Sequence, residues 1–174
     1  MRLVTVVGLI SAGLVLAGCG SEAVSGDAET EGVAAGEPVF SPCDDIPDGL
    51  LTQLGLDPAT ESRDILGVAQ PGWKLCRWPG SDHSVTVLAT TRTVEEVRAN
   101  TRNVDFVDQR IGGRGSFTYR EATDSRRETC DVAFRTGEGT TIVRIGLFEV
   151  NQQSGDPCQL AIQTATTLEP VIPG

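Results

Sequence analysis

Four widely spaced cysteines, Cys43, Cys76, Cys130 and Cys158, restrict this chain more than any other feature of its sequence. Four sulfurs fixed in one fold serve either as metal ligands or as two crosslinks. Structural zinc takes cysteines in close pairs, commonly with histidine. No C-x-x-C pair occurs here and His83 is the only histidine, so zinc is the weaker reading and no metal is expected. Two disulfides are the stronger reading, provided that the domain matures in an oxidising compartment.

The N-terminus supplies that condition. One positive charge, Arg2, precedes about 14 mostly apolar residues and then small ones, the layout of an export signal. The run is shorter than the roughly 20 residues a membrane-spanning helix needs. It ends in Leu16-Ala17-Gly18-Cys19, which closely resembles the bacterial lipobox, Leu-(Ala/Ser)-(Gly/Ala)-Cys. That resemblance implies that residues 1–18 leave as a signal peptide and that the Cys19 thiolate takes a diacylglyceryl group. A secretory signal with an incidental cysteine, or a membrane-anchoring helix, are the competing readings. Acyl chains anchor stably because each buried CH₂ contributes about 0.8 kcal/mol. The expected location is the extracytoplasmic face of the cell membrane, held by lipid.

Residues 19–39 are then a lipidated cysteine and an acidic tether, with five acids, no base and no aromatic over 20–39. Such a segment cannot bury enough surface to offset its ordering entropy. Its charge also repels anionic head groups and stands the domain away from the bilayer. Residues 40–174 form one ordinary domain with one core. The formal net charge is −10, or −11 once Arg2 leaves with the signal. That acidity, with export, argues against nucleic acid. Ten of the thirteen basic residues of the mature chain nevertheless fall within 92–144, interleaved with nine acids.

Asp45 and Pro47 suit the start of a helix with Ile46, Leu50, Leu51 and Leu54 on one face and Gly55 at its end. Strands are expected over Asp64–Ala69, Trp73–Trp78 and His83–Thr91, the last two joined by Pro79-Gly80-Ser81-Asp82. Thr93-Val94-Glu95-Glu96 is a capping box for a short helix ending near Asn100. Val104–Ile111 and Ser116–Glu121 read as strands joined through Gly112-Gly113-Arg114-Gly115. Thr129–Thr136 and Thr140–Phe148 read as a hairpin turning at Gly137-Glu138-Gly139. Asp156 caps and Pro157 begins a last helix, with Leu160, Ala161, Thr164, Ala165 and Leu168 inward and Pro170 as its stop.

This order predicts an α+β fold: a twisted antiparallel sheet of about six to seven strands, with N- and C-terminal helices packed on it. Four cysteines allow three pairings. A first helix laid back over Trp73–Trp78 brings Cys43 to Cys76. A hairpin returns the end of its second strand beside the start of its first, which brings Cys158 to Cys130. That pairing is the expected one.

Catalytic candidates are few. A Ser-His-Asp or Cys-His site must use His83, which lies beside a turn in Ser81-Asp82-His83-Ser84 with no nucleophile motif near it. It reads as a turn histidine. Asp44, Asp45 and Asp48 lack the alternating oxygens of a calcium loop and suit a helix start. Gly112-Gly113-Arg114-Gly115 lacks the Gly-Lys-Ser/Thr ending of a phosphate loop, and no helix follows it. No catalytic residue and no cofactor are expected. Trp73, after Gln70-Pro71-Gly72, suits a partner-binding anchor. Arg110 and Arg114, in the arginine-rich segment, suit an acidic protein or polymer, although a mixed solvated surface is the default for such a segment. Trp78 shares a strand face with Cys76 and reads as packing on its disulfide.

Phe40-x-Pro42-Cys43, Gly72-x-x-x-Cys76-x-Trp78, Cys130-x-Val132-x-Phe134 and an Ala-rich helix begun at Cys158 follow one another behind the lipobox. Their order and spacing resemble an actinobacterial family of secreted lipoproteins known only as a domain of unknown function, over about residues 38–170. The resemblance implies an envelope location and two disulfides, and it brings no catalytic residues. One lysine against thirteen arginines fits a high-GC genome. The element order is also similar to the Mog1/PsbP-type α+β sandwich. The expected role is a non-enzymatic binding or accessory module of the cell envelope, in contact with the membrane through its lipid and with an envelope protein, lipid or cell-wall ligand. A sensor or immunity lipoprotein acting on one protein partner is the alternative. An envelope enzyme with a carboxylate site is the third reading.

Cys19→Ala removes the acceptor sulfur, so it is expected to abolish lipid labelling and either release the protein or leave uncut precursor. Metabolic labelling and membrane fractionation test this; a processed mutant that still partitions with membranes refutes the anchor.

Overall fold

Period-two alternation of apolar side chains runs along most of the chain between Trp73 and Leu147, and it dictates a sheet with two distinct faces. A computed structural model describes residues 36–65, 67–137, 139–149 and 155–174. The expected signal peptide, Cys19 and the expected tether as far as residue 35 lie outside the described residues. Among the described residues no helix is long and apolar enough to cross a membrane.

The strands are β1 Ser62–Arg63, β2 Trp73–Pro79, β3 His83–Thr90, β4 Asn103–Ile111, β5 Arg114–Glu121, β6 Thr129–Thr136 and β7 Gly139–Leu147. They form one antiparallel sheet in the order β1-β2-β3-β7-β6-β5-β4. The helices are α1 Pro42–Asp45, α2 Asp48–Gln53, α3 Val94–Ala99 and α4 Pro157–Leu168.

Register sorts the side chains into rows. Cys76, Val87, Val143 and Val132 lie side by side across β2, β3, β7 and β6; Trp78, Val85, Ile145 and Cys130 make the next row on the same face. All eight are buried. Ala161, Ala165 and Leu168 of α4 close over them, with Ile46 and Leu51 from the N-terminal helices. Each large aliphatic so buried contributes about 1.5–3 kcal/mol. Two disulfides fasten this layer. Cys43–Cys76, Cα–Cα 5.2 Å, ties α1 to β2, and Cys130–Cys158, Cα–Cα 5.0 Å, ties α4 to β6. This is the expected pairing. The closed loops span 33 and 28 residues, and the chain-entropy model gives roughly 3–4 kcal/mol for each.

The structure departs from expectation at three places. The N-terminal helix is two short helices, because Pro47 forces Ile46 into an extended conformation, ψ 116°. Asp45 does not cap it; its carboxylate accepts the Ser41 N–H at 2.7 Å. β1 ends at Arg63, just before the strand expected over Asp64–Ala69, since Asp64 takes φ +60°. Ile65 and Val68 form an isolated bridge there and stay exposed. The four-residue glycine loop is a two-residue turn, with Gly112 and Gly113 at φ +59° and +84° and Ile111 paired to Arg114. Two left-handed residues match the twist of a tight hairpin. The capping box forms as read: Thr93 Oγ1 accepts from the Glu96 N–H, and the Glu96 carboxylate accepts from the Thr93 N–H at 2.7 Å.

The opposite face carries a second, smaller cluster of Val97, Phe117, Tyr119, Ala133 and Ile142, with Trp73, Leu88, Val94 and Phe106 at its margin. Charge is buried beside it. Arg144 donates through Nε and Nη2 to Asp131 at 2.7 and 3.0 Å, and through Nη2 to Glu121 at 2.6 Å. Asp131 is fully buried. Desolvation raises its carboxyl above the ordinary value even against the pull of Arg144. Tyr119, next to Asp131 in register, has its phenol driven well above its ordinary value of 10.0, by burial first and by the Asp131 charge second.

Two measurements follow. Gly112→Ala places a Cβ in the Glu169 carboxylate at a left-handed φ, so it is expected to cost about 1–3 kcal/mol in denaturant unfolding. Gly113→Ala, which meets nothing within 4 Å, is expected to cost less. Tyr119 is the only tyrosine, so phenolate absorbance reports on it alone. Its folded pKa is raised, so its protonated form favours the fold below pH 10 and that contribution is lost above it. Phenolate absorbance is therefore expected to appear together with unfolding; ionisation in a protein that stays folded refutes the burial.

Candidate functional site

The two faces of the sheet are covered unequally. α4 and the N-terminal helices lie on the face that carries the cysteines, whereas among the described residues the other face has only the six residues of α3. That helix links β3 to β4, which stand third and seventh in the strand order, and it packs on β4 and β6. Six residues are about 9 Å of helix, too little to cover a seven-stranded sheet. A cleft of about 430 Å³ remains between α3 and the β4–β5 turn.

Register explains what lines it. Arg110 of β4 pairs with Gly115 of β5. One residue beyond the Ser116–Phe134 pair, Gly115 also neighbours Arg135 of β6. Two arginines thus stand on either side of a residue without a side chain, roughly 10 Å apart at their Cα atoms from two strand spacings. In the next row Asp108, Phe117 and Ala133 form the floor. From above, α3 contributes Val94 and Arg98, whose guanidinium lies 3.9 Å from the Phe117 ring centroid and 5.6 Å from that of Phe106. Phe106, Phe117 and Tyr119 pack at 5.8–5.9 Å between centroids, within the range of favourable aromatic pairs.

The arginines have weak commitments. Arg98 pairs with Asp108, and Arg135 with Glu95 of α3; all four side chains are at least 40% exposed. Glu95 is held below the ordinary carboxylate value by its own backbone amide and by Arg135. Arg110 donates Nη2 to the Gly113 carbonyl at 2.7 Å. Exposed pairs of this kind contribute about 0–1 kcal/mol, so an incoming anion can replace them. Arg144 is different: its bonds to Asp131 and Glu121 are partly buried, and breaking such a pair costs about 3–5 kcal/mol. A guanidinium set over an aromatic floor recognises planar oxyanions attached to apolar groups.

The residues singled out from sequence are not all together. Arg110 lines the cleft. Trp73 shares its face but sits on β2, half-buried against the second cluster and paired with Thr90, five strand positions from β4. Arg114 serves the fold. It donates to the carbonyls of Ile172, Arg135 and Pro173 at 2.7–2.8 Å and lies 5.3 Å from the Phe134 ring. Trp78 is buried in the row of Cys130, beside Cys76. His83 begins β3 opposite Leu147, and its carbonyl accepts the Gly80 N–H at 2.8 Å. Cys43, Cys76 and Glu61 hold three ligand-type atoms within 4.8 Å, but both sulfurs are oxidised and only a carboxylate is left. Arg135 is not singled out by the sequence; Arg98 enters there only as one of the basic middle-segment residues, and Gly115 only as part of the glycine loop. Arg98 follows a recognised capping box, so its helix was legible; Gly115 and Arg135 become neighbours only through the β5–β6 register.

No curated protein and no solved structure shows a significant match to the chain. The model of a family described as protein of unknown function (DUF3558) matches residues 14–170. That span takes in every strand and helix of the fold and all four disulfide cysteines, and the chain belongs to this family.

Proposed function

We propose that the protein is a lipid-anchored extracytoplasmic lipoprotein acting as a non-enzymatic binding module of the cell envelope, and that the cleft between α3 and the β4–β5 turn is where its ligand docks. The lipobox at Leu16–Cys19 and the two disulfides support the compartment. The arginine-rich, lysine-poor composition suits an actinobacterial source, and the packing of helices on an antiparallel sheet suits the Mog1/PsbP-type comparison. The observation that carries the reading is the convergence of Arg98, Arg110 and Arg135 on an apolar floor in a chain of net charge −10. Most acids of such a chain repel anions; this cleft gathers three cations held only by exchangeable partners.

A photocrosslinking residue at Asp108, a lining position with an 83% exposed side chain, is expected to give a defined adduct in the native envelope. The same residue at Thr166, on the exposed side of α4, is expected to give none. Charge reversal by Arg110→Glu with Arg135→Glu is expected to abolish the adduct. Equal labelling at both positions, or an adduct indifferent to charge reversal, refutes the cleft as the docking site.

A further inference from the structure

We infer that the ligand of this cleft is a small organic monoanion with an apolar body, its carboxylate seated over Gly115 between Arg110 and Arg135 and its apolar part lying on Phe117 and Ala133 beside Arg98. The inference rests on the proposed binding role and names the class of ligand for that site. It stands on three features of the cleft.

The first is the slot. Gly115 has a φ outside the left-handed region, and a Cβ built on it meets nothing within 4 Å. The backbone there does not require glycine, and the space above it is open. Arg110 and Arg135 flank it in adjacent strands, so their guanidiniums can both turn toward one oxyanion. Any larger residue would occupy the place that the anion takes.

The second is charge. Three arginines face two carboxylates, Asp108 and Glu95, each already paired. The local balance is one positive charge, which suits a monoanion. A phosphate dianion would leave excess negative charge beside those carboxylates. Arg110, with one bond to the Gly113 carbonyl, has donors to spare; a guanidinium carries five N–H groups.

The third is the floor. Phe117 and Ala133 are buried, with Arg98 stacked on Phe117. An apolar body reaches them where Arg98, held to Asp108 only by an exposed pair, swings aside; an anion with nothing apolar attached gains nothing from that exchange. The volume, about 430 Å³, lies in the range of small-molecule sites.

The test uses the mature exported chain with both disulfides intact, in phosphatidylcholine nanodiscs, with empty nanodiscs subtracted. Hexanoate is titrated while the side-chain Nε–Hε resonances of labelled arginine are followed. Hexanoate is expected to saturate the resonances of Arg98, Arg110 and Arg135, with hexanamide, acetate and inorganic phosphate each binding at least tenfold more weakly. Gly115→Val fills the open slot without backbone strain, and Arg110→Gln removes one side of the bracket. Both are expected to weaken hexanoate at least tenfold while the amide spectrum elsewhere keeps its folded dispersion. Hexanamide binding as well as hexanoate would overturn the inference, because no anion would then be read. Acetate or phosphate binding as well as hexanoate would overturn it too, marking the cleft as a place for an adventitious ion only. So would unchanged binding by Gly115→Val, or an absence of saturation by hexanoate. If the Asp108 crosslink forms while hexanoate fails, the ligand class is wrong and the docking site stands; if the crosslink fails, the docking site itself falls.

Discussion

Both disulfides leave the sheet from the same face. Cys76 and Cys130 sit in adjacent rows of one face, separated by an even number of positions from Trp78, Val132 and Phe134, and the period of two along a strand leaves them no other side. Each bridge carries a helix, so α1 and α4 are both pulled to that face. Among the described residues, all the substantial helical cover thereby lies on one side. The other side has α3, which is capped by Thr93 before its first residue and by Glu96 at its third but is only six residues long. The open cleft follows from where two sulfurs point.

The uncovered face solves its exposure in two ways. Toward the ends of β6 and β7 nearer Thr129 and Gly146 it buries charge. Arg144 is gripped by Asp131 and Glu121, and Tyr119 lies alongside. That cluster is costly to open, because Asp131 would be left buried without its partner. Toward the β4–β5 turn the same face uses exposed ion pairs, Arg98 with Asp108 and Arg135 with Glu95, which hold little free energy. The contrast assigns roles among arginines that look alike in sequence. Arg144 and Arg120 are fixed parts of the fold, the latter through the Thr129 carbonyl at 2.6 Å and Asp156 at 3.1 Å. Arg114 fastens the segment at Ile172 and Pro173. Arg98, Arg110 and Arg135 can change partners.

Much of the architecture could be read before any coordinates, for local reasons. Alternation announced β3, β6 and β7. The Thr93–Glu96 capping box and the Asp156-Pro157 start marked α3 and α4 within a residue, because a cap is decided by side chains three positions away. Trp78 was placed on the disulfide by parity alone. The reading failed where two local signals competed. Pro47 suits the start of a helix, but it also bars its predecessor from helical geometry, and so divides the first helix in two. The apolar residues Ile65 and Val68 suggest a strand, but Asp64 at φ +60° turns the chain before it, and only an isolated bridge forms. Arg114 was read with the turn glycines as a loop residue, whereas it pairs with Ile111 as the first residue of β5.

By itself the sequence determined an even set of cysteines, the count and order of most elements, and the faces of the strands, all of which depend on neighbours a few residues apart. Only the tertiary structure decided which arginines meet. Arg98, Arg110 and Arg135 lie on a helix and two strands that are not adjacent in the sheet. Their approach depends on the β4–β5 and β5–β6 registers and on the path of α3. A register is a property of pairs of strands: shifting either by one residue would send Gly115 to the opposite face and close the slot. No single segment carries that information, and so the cleft, unlike the strands that build it, had to be seen folded.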